Sequence, residues 1–237
     1  MFQIKIAGMV IGIDAVFPYV KTLCESYLAD DASEPLFIVC ATESERACMT
    51  RSVTWKQITP GEAESMVIMR KIALKMPKFD GFLFHAAVVQ CRNMTIAFSA
   101  PRGTGKTTHA LLWLDTFKGE ARILNGDKPI LRIEDRIVTA YGTPWSGKEG
   151  MNDNSGASLS AVCFLERGDC VGIRRLDNEE YLRRLIPQTY FDTDNESIGK
   201  CSKLFSKLIS RVPAYLLDAT ISEEAVRVAY DRISKGI

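Results

Sequence analysis

The chain has 237 residues, 46% hydrophobic and 25% charged, with 30 basic side chains against 29 acidic ones and a net charge of +1. That composition suits one large α/β domain with a small appended unit and excludes a disordered chain. The charge balance argues against nucleic-acid binding, which shows a basic excess, and no apolar run reaches the roughly 18–20 residues that span a bilayer.

The N-terminus MFQIKIAGMVIGIDAVF is apolar but holds Lys5 and lacks a basic leader with a small-residue cleavage site. It reads as a strand over Phe2–Ile13 rather than a signal peptide. Ala15–Leu28 is expected to be helical and Pro35–Cys40 a second strand. Thr59-Pro60-Gly61-Glu62 combines an N-cap Thr, a Pro at the first helical position and a Glu at the third. The helix it opens carries Met66, Met69, Ile72, Ala73 and Met76 at helical spacing, and Pro77 is expected to end it. Residues 1–80 show no recognisable chemistry and read as an α+β N-terminal extension.

Residues 81–237 read as a second unit. Phe82–Val89 is a nearly continuous apolar run and Thr95–Phe98 a shorter one, as in strands buried on both faces. A helix is expected from Lys106 to about Phe117. Further apolar stretches follow at Ala121–Leu124, Ile130–Ile133, Ile137–Ala140, Ala161–Leu165 and Val171–Ile173. Their density and short turns predict an α/β fold with a mixed sheet and flanking helices rather than a regular βαβ repeat. Ile198, Cys201, Leu204, Phe205, Leu208, Ile209 and Val212 mark an amphipathic helix before Pro213. Thr220-Ile221-Ser222-Glu223 predicts a capped last helix.

The seven cysteines include no C-x-x-C pair and match neither a zinc site nor a disulfide framework. Cys40, Cys91 and Cys163 lie in or beside apolar runs and read as small core residues. The expected compartment is the reducing cytoplasm.

The sharpest signal is Ser99-Ala100-Pro101-Arg102-Gly103-Thr104-Gly105-Lys106-Thr107-Thr108, set between an apolar strand and a helix. A strand, a glycine loop and a helix carrying G-x-G-K-T is the context of a phosphate-binding loop. Its N–H groups and the helix dipole attract phosphate. The expected nucleotide contacts are Arg102, Gly103, Thr104, Gly105, Lys106, Thr107 and Thr108. Lys106 would face solvent without ligand and neutralise ATP phosphates, and the Thr107 hydroxyl would bind Mg²⁺. The full pattern has Gly where Ala100 stands, which a negative φ tolerates. Asn125-Gly126-Asp127-Lys128 ends an apolar stretch, and Asp127 lies 21 residues after Lys106. A carboxylate there suits a second Mg²⁺ ligand, although N-G and G-D are also turn formers.

His85 falls inside the run Phe82–Val89, where a lone histidine is more often a satisfied core residue, and His109 is expected to pack against the sheet. Tyr141–Glu149 reads either as a substrate-contacting loop or as a long turn anchored by Trp145. Of the arginines, Arg167 at the end of Ala161–Leu165 is the best candidate for an anionic ligand.

Together HAAVVQCRNMTIAFSAPRGTGKTTHALLW, ILNGDKPIL and YGTPWSGK resemble the kinase domain of HPr kinase/phosphorylase, which belongs with the ATP-dependent phosphoenolpyruvate carboxykinases. They more closely resemble the bacterial HPr kinase-like proteins often encoded near peptide-modification genes. The similarity covers roughly residues 82–175. It implies ATP/Mg²⁺-dependent phosphorylation of a hydroxyl on a peptide, protein or small molecule, with Lys106, Asp127 and His85 as catalytic residues. It also implies Thr107 and Asp127 at the metal. The first Asp of the family's pair is Gly126 here, so the base is open between Glu149 and Asp153. The alternative is a degenerate nucleotide-binding regulatory or scaffold protein. A GTP switch is disfavoured because no N-K-x-D motif occurs. No nucleic-acid or membrane partner is expected, and a homo-oligomer is left open.

Overall fold

A computed structural model describes residues 1–29 and 34–236. β1 (Phe2–Ile6) and β2 (Met9–Asp14) form an antiparallel hairpin. The single strand expected over Phe2–Ile13 is therefore two, because Ala7 and Gly8 both take positive φ (49° and 75°) and reverse the chain. The helix expected over Ala15–Leu28 shrinks to α1 (Pro18–Leu23) and a 3₁₀ turn at Glu25–Tyr27. β3 (Phe37–Cys40) pairs in parallel with β2 and closes the three-stranded sheet β1-β2-β3. α2 (Glu43–Ser52) follows, a helix with no buried residue and so no apolar stripe to betray it.

α3 (Pro60–Lys75) begins as its sequence predicts, with Thr59 and Glu62 capping each other's backbone N–H groups. It ends one residue before a 3₁₀ turn at Met76–Phe79. α3 buries Val67, Ile68, Ile72 and Ala73 against the first sheet, in a core that also takes in Leu83, Ile130 and Trp145. Its Glu64 is fully buried and accepts the N–H groups of Val16 (3.0 Å) and Phe17 (2.8 Å), fixing the approach to α1.

The run Phe82–Val89 is also divided. β4 (Gly81–Leu83) joins one sheet and β5 (Ala86–Cys91) another. His85 thus sits in the break between two strands and not inside one, contrary to the sequence reading. β6 (Met94–Ser99) leads through the glycine loop into α4 (Lys106–Thr116). β7 (Ala121–Asn125), β8 (Ile130–Glu134), β9 (Ile137–Tyr141), β10 (Gly156–Ser158), β11 (Ala161–Arg167) and β12 (Gly172–Arg175) come next. α5 (Asn178–Leu185), α6 (Asn195–Ile209), β13 (Ala214–Ala219) and α7 (Glu223–Ser234) complete the chain. α7 is capped by Ser222 and not by Thr220.

The fold is mixed α/β. β10-β9-β8-β4 form a four-stranded antiparallel sheet. β12-β13-β11-β6-β5-β7 form a six-stranded mixed sheet in which β11 runs parallel to both β6 and β13. One face of this larger sheet is covered by α4 and α7, around Phe98, Trp113, Tyr215 and Ile233. The other packs through Val88, Val162 and Leu216 onto the four-stranded sheet and α6, around Phe82, Leu131, Leu204 and Phe205. Burial on both faces matches the apolar run Ile96–Phe98 of β6, all of whose residues are buried, and the core of β11. Cys91 and Cys163 are core residues as expected, whereas Cys40 is exposed. Among the described residues no helix is long and apolar enough to cross a membrane.

Ile72 is fully buried where α3 meets the first sheet. Ile72→Ala is expected to lower unfolding free energy by about 2–5 kcal/mol, read as a shifted urea midpoint with an unchanged slope.

Candidate functional site

Strand direction brings four chain segments to one rim of the six-stranded sheet. β6 ends at Ser99, opposite Ala86 at the start of antiparallel β5 and beside Phe164 of parallel β11. β7, antiparallel to β5, ends at Asn125 on the same rim. His85, the glycine loop, Asp127 and Arg167 therefore converge from positions far apart in sequence. Ser99 ties two of the segments, its Oγ donating to the His85 carbonyl at 2.9 Å.

The loop has the backbone its glycines imply. Gly103 and Gly105 take φ of +82° and +117°, which L side chains rarely adopt. Ala100 is absent from the positive-φ residues, so its methyl is accommodated. Gly105 caps α4 without a side chain, leaving the first-turn N–H groups of the helix with no side-chain acceptor. Arg167 donates to the Gly103 carbonyl at 2.6 Å and to the Thr104 carbonyl at 3.4 Å. A trans peptide sets N–H opposite C=O, so the Gly105 N–H points away from Arg167. The arginine thus braces the loop from outside. Thr107 is half-buried and Thr108 exposed.

Lys106 is 7% exposed and donates to the Ala100 carbonyl at 2.8 Å. The expectation that it faces solvent is corrected: the first turn of α4 folds its stem back under the loop. Burial lowers its pKa to about 8, with Asp127 favouring the ammonium and Lys128 opposing it. Lys128 is buried as well; desolvation lowers its pKa against the pull of Asp127.

Asp127 is held from two sides. Its Oδ1 lies 3.1 Å from His85 Nε2, and its Oδ2 accepts from Lys128 Nζ at 2.7 Å. Burial pushes the carboxyl up, but His85 and Lys128 outweigh it and hold it well below the usual carboxylate range. His85 Nδ1 lies 2.8 Å from Gln188 Oε1, which fixes the imidazole plane. The turn beneath is built by Asn125, whose Oδ1 accepts from the N–H groups of Asp127 (2.9 Å) and Lys128 (2.7 Å). Asp127 is thus a turn residue and a member of a charged cluster at once. Next to it, burial first and then the Asp127 charge raise the pKa of Tyr190, which Arg70 lowers.

The remaining sequence candidates separate. Glu149 is exposed, but a Cβ placed on Gly147 would lie 3.7 Å from Glu149 Oε2 and 3.4 Å from Asp127 Cβ, so both acidic residues flank one glycine. Asp153 does not join the cluster; its carboxylate binds Arg122 and accepts from Ser155 Oγ. Gly126 has no room for a side chain, since a Cβ there would stand 2.5 Å from the Ser146 carbonyl oxygen. His109 packs under Phe98, accepts from Trp113 Nε1 at 3.1 Å, and is pushed by burial to a pKa of about 4. Trp145 anchors its loop in the core, donating to Ser65 Oγ at 2.9 Å.

Four contributors have no local signal of their own. Lys128 is only the neighbour of Asp127 in sequence, and Gln188 reaches His85 from 103 residues away. Tyr190 lies two residues after Gln188. Trp55, 52% exposed on the N-terminal segment, lies 4.0 Å beneath the Arg102 guanidinium and links residues 1–80 to the glycine loop.

Two buried ammonium groups against one carboxylate, beside a helix N-terminus with no side-chain cap, form a site that favours an anion. Among the described residues no three His, Cys, Asp or Glu side chains converge on a metal position. A magnesium ion riding on phosphate needs only one or two protein oxygens, which Thr107 and Asp127 could supply.

No family model matches the chain, and no curated protein matches it. Among solved structures it is similar to the Hpr(Ser) kinase/phosphatase from Coxiella burnetii, with 12% identity and a TM-score of 0.37. The match covers 64% of this chain and 98% of that one. A likeness so slight carries no argument about chemistry.

The lowered pKa of Lys106 sets a stability prediction. The unfolded chain holds this proton more tightly, so the penalty is complete below about pH 8 and fades as pH rises toward the ordinary lysine value of 10.5. Lys106→Met is expected to stabilise the ligand-free protein by roughly 1–2 kcal/mol at pH 7, after the lost hydrogen bond is discounted. The gain should shrink by pH 10, as read by denaturant titration of both proteins. Gly126→Asp, by contrast, is expected to destabilise at every pH, because its Cβ meets backbone.

Proposed function

We propose that the protein is an ATP- and Mg²⁺-dependent phosphotransferase acting on a hydroxyl of a peptide, a protein or a small molecule. The observation that carries this reading is the desolvated Lys106 beneath a glycine loop, on the same rim as the Asp127–His85–Lys128 cluster. In it the loop N–H groups from Gly103 to Thr108 and the Lys106 ammonium would hold the phosphates, with Arg102 alongside. Thr107 and Asp127 would hold Mg²⁺, which supplies charge neutralisation between the phosphates. An incoming phosphate would restore the charge balance that two buried lysines and one aspartate lack.

Proton movement at the acceptor falls to this chain's own side chains. Glu149 is exposed beside Asp127 and free of the bonds that occupy the Asp127 carboxylate, so it would take the hydroxyl proton. Gln188 and Asp127 would keep His85 oriented. The structural cost of a side chain at position 126 supports a relocated base over a simple loss of one. The bonds that occupy the Asp127 carboxylate favour a second reading instead, a nucleotide-binding regulatory or scaffold protein without turnover.

Calorimetry and phosphate transfer separate the two. Lys106→Ala is expected to weaken ATP·Mg²⁺ binding at least about 10-fold, because a charge-assisted hydrogen bond contributes ~1.5–3 kcal/mol. Asp127→Asn is expected to blunt the Mg²⁺ dependence while metal-free nucleotide binding persists. With γ-labelled ATP, Glu149→Gln is expected to slow transfer by ~10²-fold or more. Tight ATP·Mg²⁺ binding with no transfer to any peptide or small-molecule hydroxyl would favour the scaffold.

A further inference from the structure

β3 is the outermost strand of the N-terminal sheet, and among the described residues no strand pairs with its free side. Half of the N–H and C=O groups of an edge strand point away from its neighbour, a row that another chain can complete. Natural edges are usually shielded by charge, yet Ile38 on this one is 53% exposed. A groove of about 510 Å³ runs along the edge, with Ile38, Val39 and Cys40 on one side and the start of α6 on the other.

A second hollow of about 340 Å³ borders the first, shares Leu74 with it and is lined by Met49, Met66 and Met69. Methionines make an adaptable apolar surface suited to varied side chains. The far wall is Thr189–Phe191, immediately after the Gln188 that contacts His85. The two hollows thus lie between an open strand edge and the segment next to Gln188.

Charge narrows the occupant. Arg70, Lys71, Lys75, Lys78 and Lys200 line the two hollows against Asp192, Asp194 and Glu196. Asp194 is further engaged as the N-cap of α6. Lys71 is paired with Glu45 at 2.7 Å and Lys200 with Glu196 at 2.6 Å. Among the described residues Arg70, Lys75 and Lys78 are therefore the lining cations without an ion-pair partner, and against Asp192 and Asp194 they leave the groove net positive.

We propose that the edge of β3 and this groove form a docking surface for an extended, acidic peptide segment, which adds to the N-terminal sheet as a fourth strand and lays an apolar side chain against the lining methionines. The four residues of β3 would pair with about 13 Å of such a peptide. Docking needs no nucleotide; only the use of the far end, where an acceptor hydroxyl would meet Asp127, rests on the phosphotransferase reading.

The test is a selection of random twelve-residue peptides displayed on phage, followed by affinity and amide-exchange measurements with the enriched peptides. Acidic peptides should be enriched, and the bound peptide should slow exchange of the amides in Phe37–Cys40. Ile38→Asp and the double reversal Arg70→Glu, Lys75→Glu should each weaken binding at least 10-fold, while retained circular dichroism shows that these surface variants fold. Lys106→Ala should leave peptide affinity unchanged, which separates docking from the phosphotransfer reading. No enriched peptide, binding that leaves the β3 amides unprotected, or binding indifferent to both variants would overturn the proposal. So would protection of β3 by concentration-dependent dimerisation alone, which would assign the edge to a second copy of the chain.

Discussion

The candidate site depends on the buried amide of Asn125. Its Oδ1 holds the backbone N–H groups of Asp127 and Lys128, while its Nδ2 donates to the Thr143 carbonyl at 2.9 Å. One side chain thus shapes the turn after β7 and fastens it to the loop after β9. An amide so completely engaged away from water leaves the turn little freedom. Asp127 and Lys128 emerge side by side as a consequence, and the close packing of Ser146 over Gly126 follows from the same turn.

Around that turn the charges are arranged at an energetic cost. Lys106 and Lys128 are both desolvated, and one carboxylate serves them together with His85. Burying ammonium groups with partial compensation is costly, and it is the arrangement expected where an anion completes the balance. Asp127 keeps its charge because two donors grip it, so it enters any chemistry as a fixed carboxylate rather than as a proton carrier.

The N-terminal segment is joined to this site more closely than its lack of motifs suggests. Trp55 supports Arg102 of the glycine loop, Ser65 accepts from Trp145, and α3 shares its core with Leu83 and Ile130.

The sequence by itself determined the features governed by local energetics: the glycine loop between strand and helix, the mutual cap at Thr59 and Glu62, and the apolar stripe of α6. Each depends on the sign of φ, a neighbouring donor or a periodicity within a few turns. It also marked Lys106, Asp127 and His85, but not what they touch. Only the tertiary structure decided that Phe82–Val89 divides between two sheets at His85, that Lys106 is buried, that Asp153 belongs to Arg122, and that Gln188 and Trp55 reach the site. Those outcomes rest on strand register and on packing between residues tens to more than a hundred positions apart. Pairing of that kind is settled by the whole core, and no stretch of local sequence encodes it.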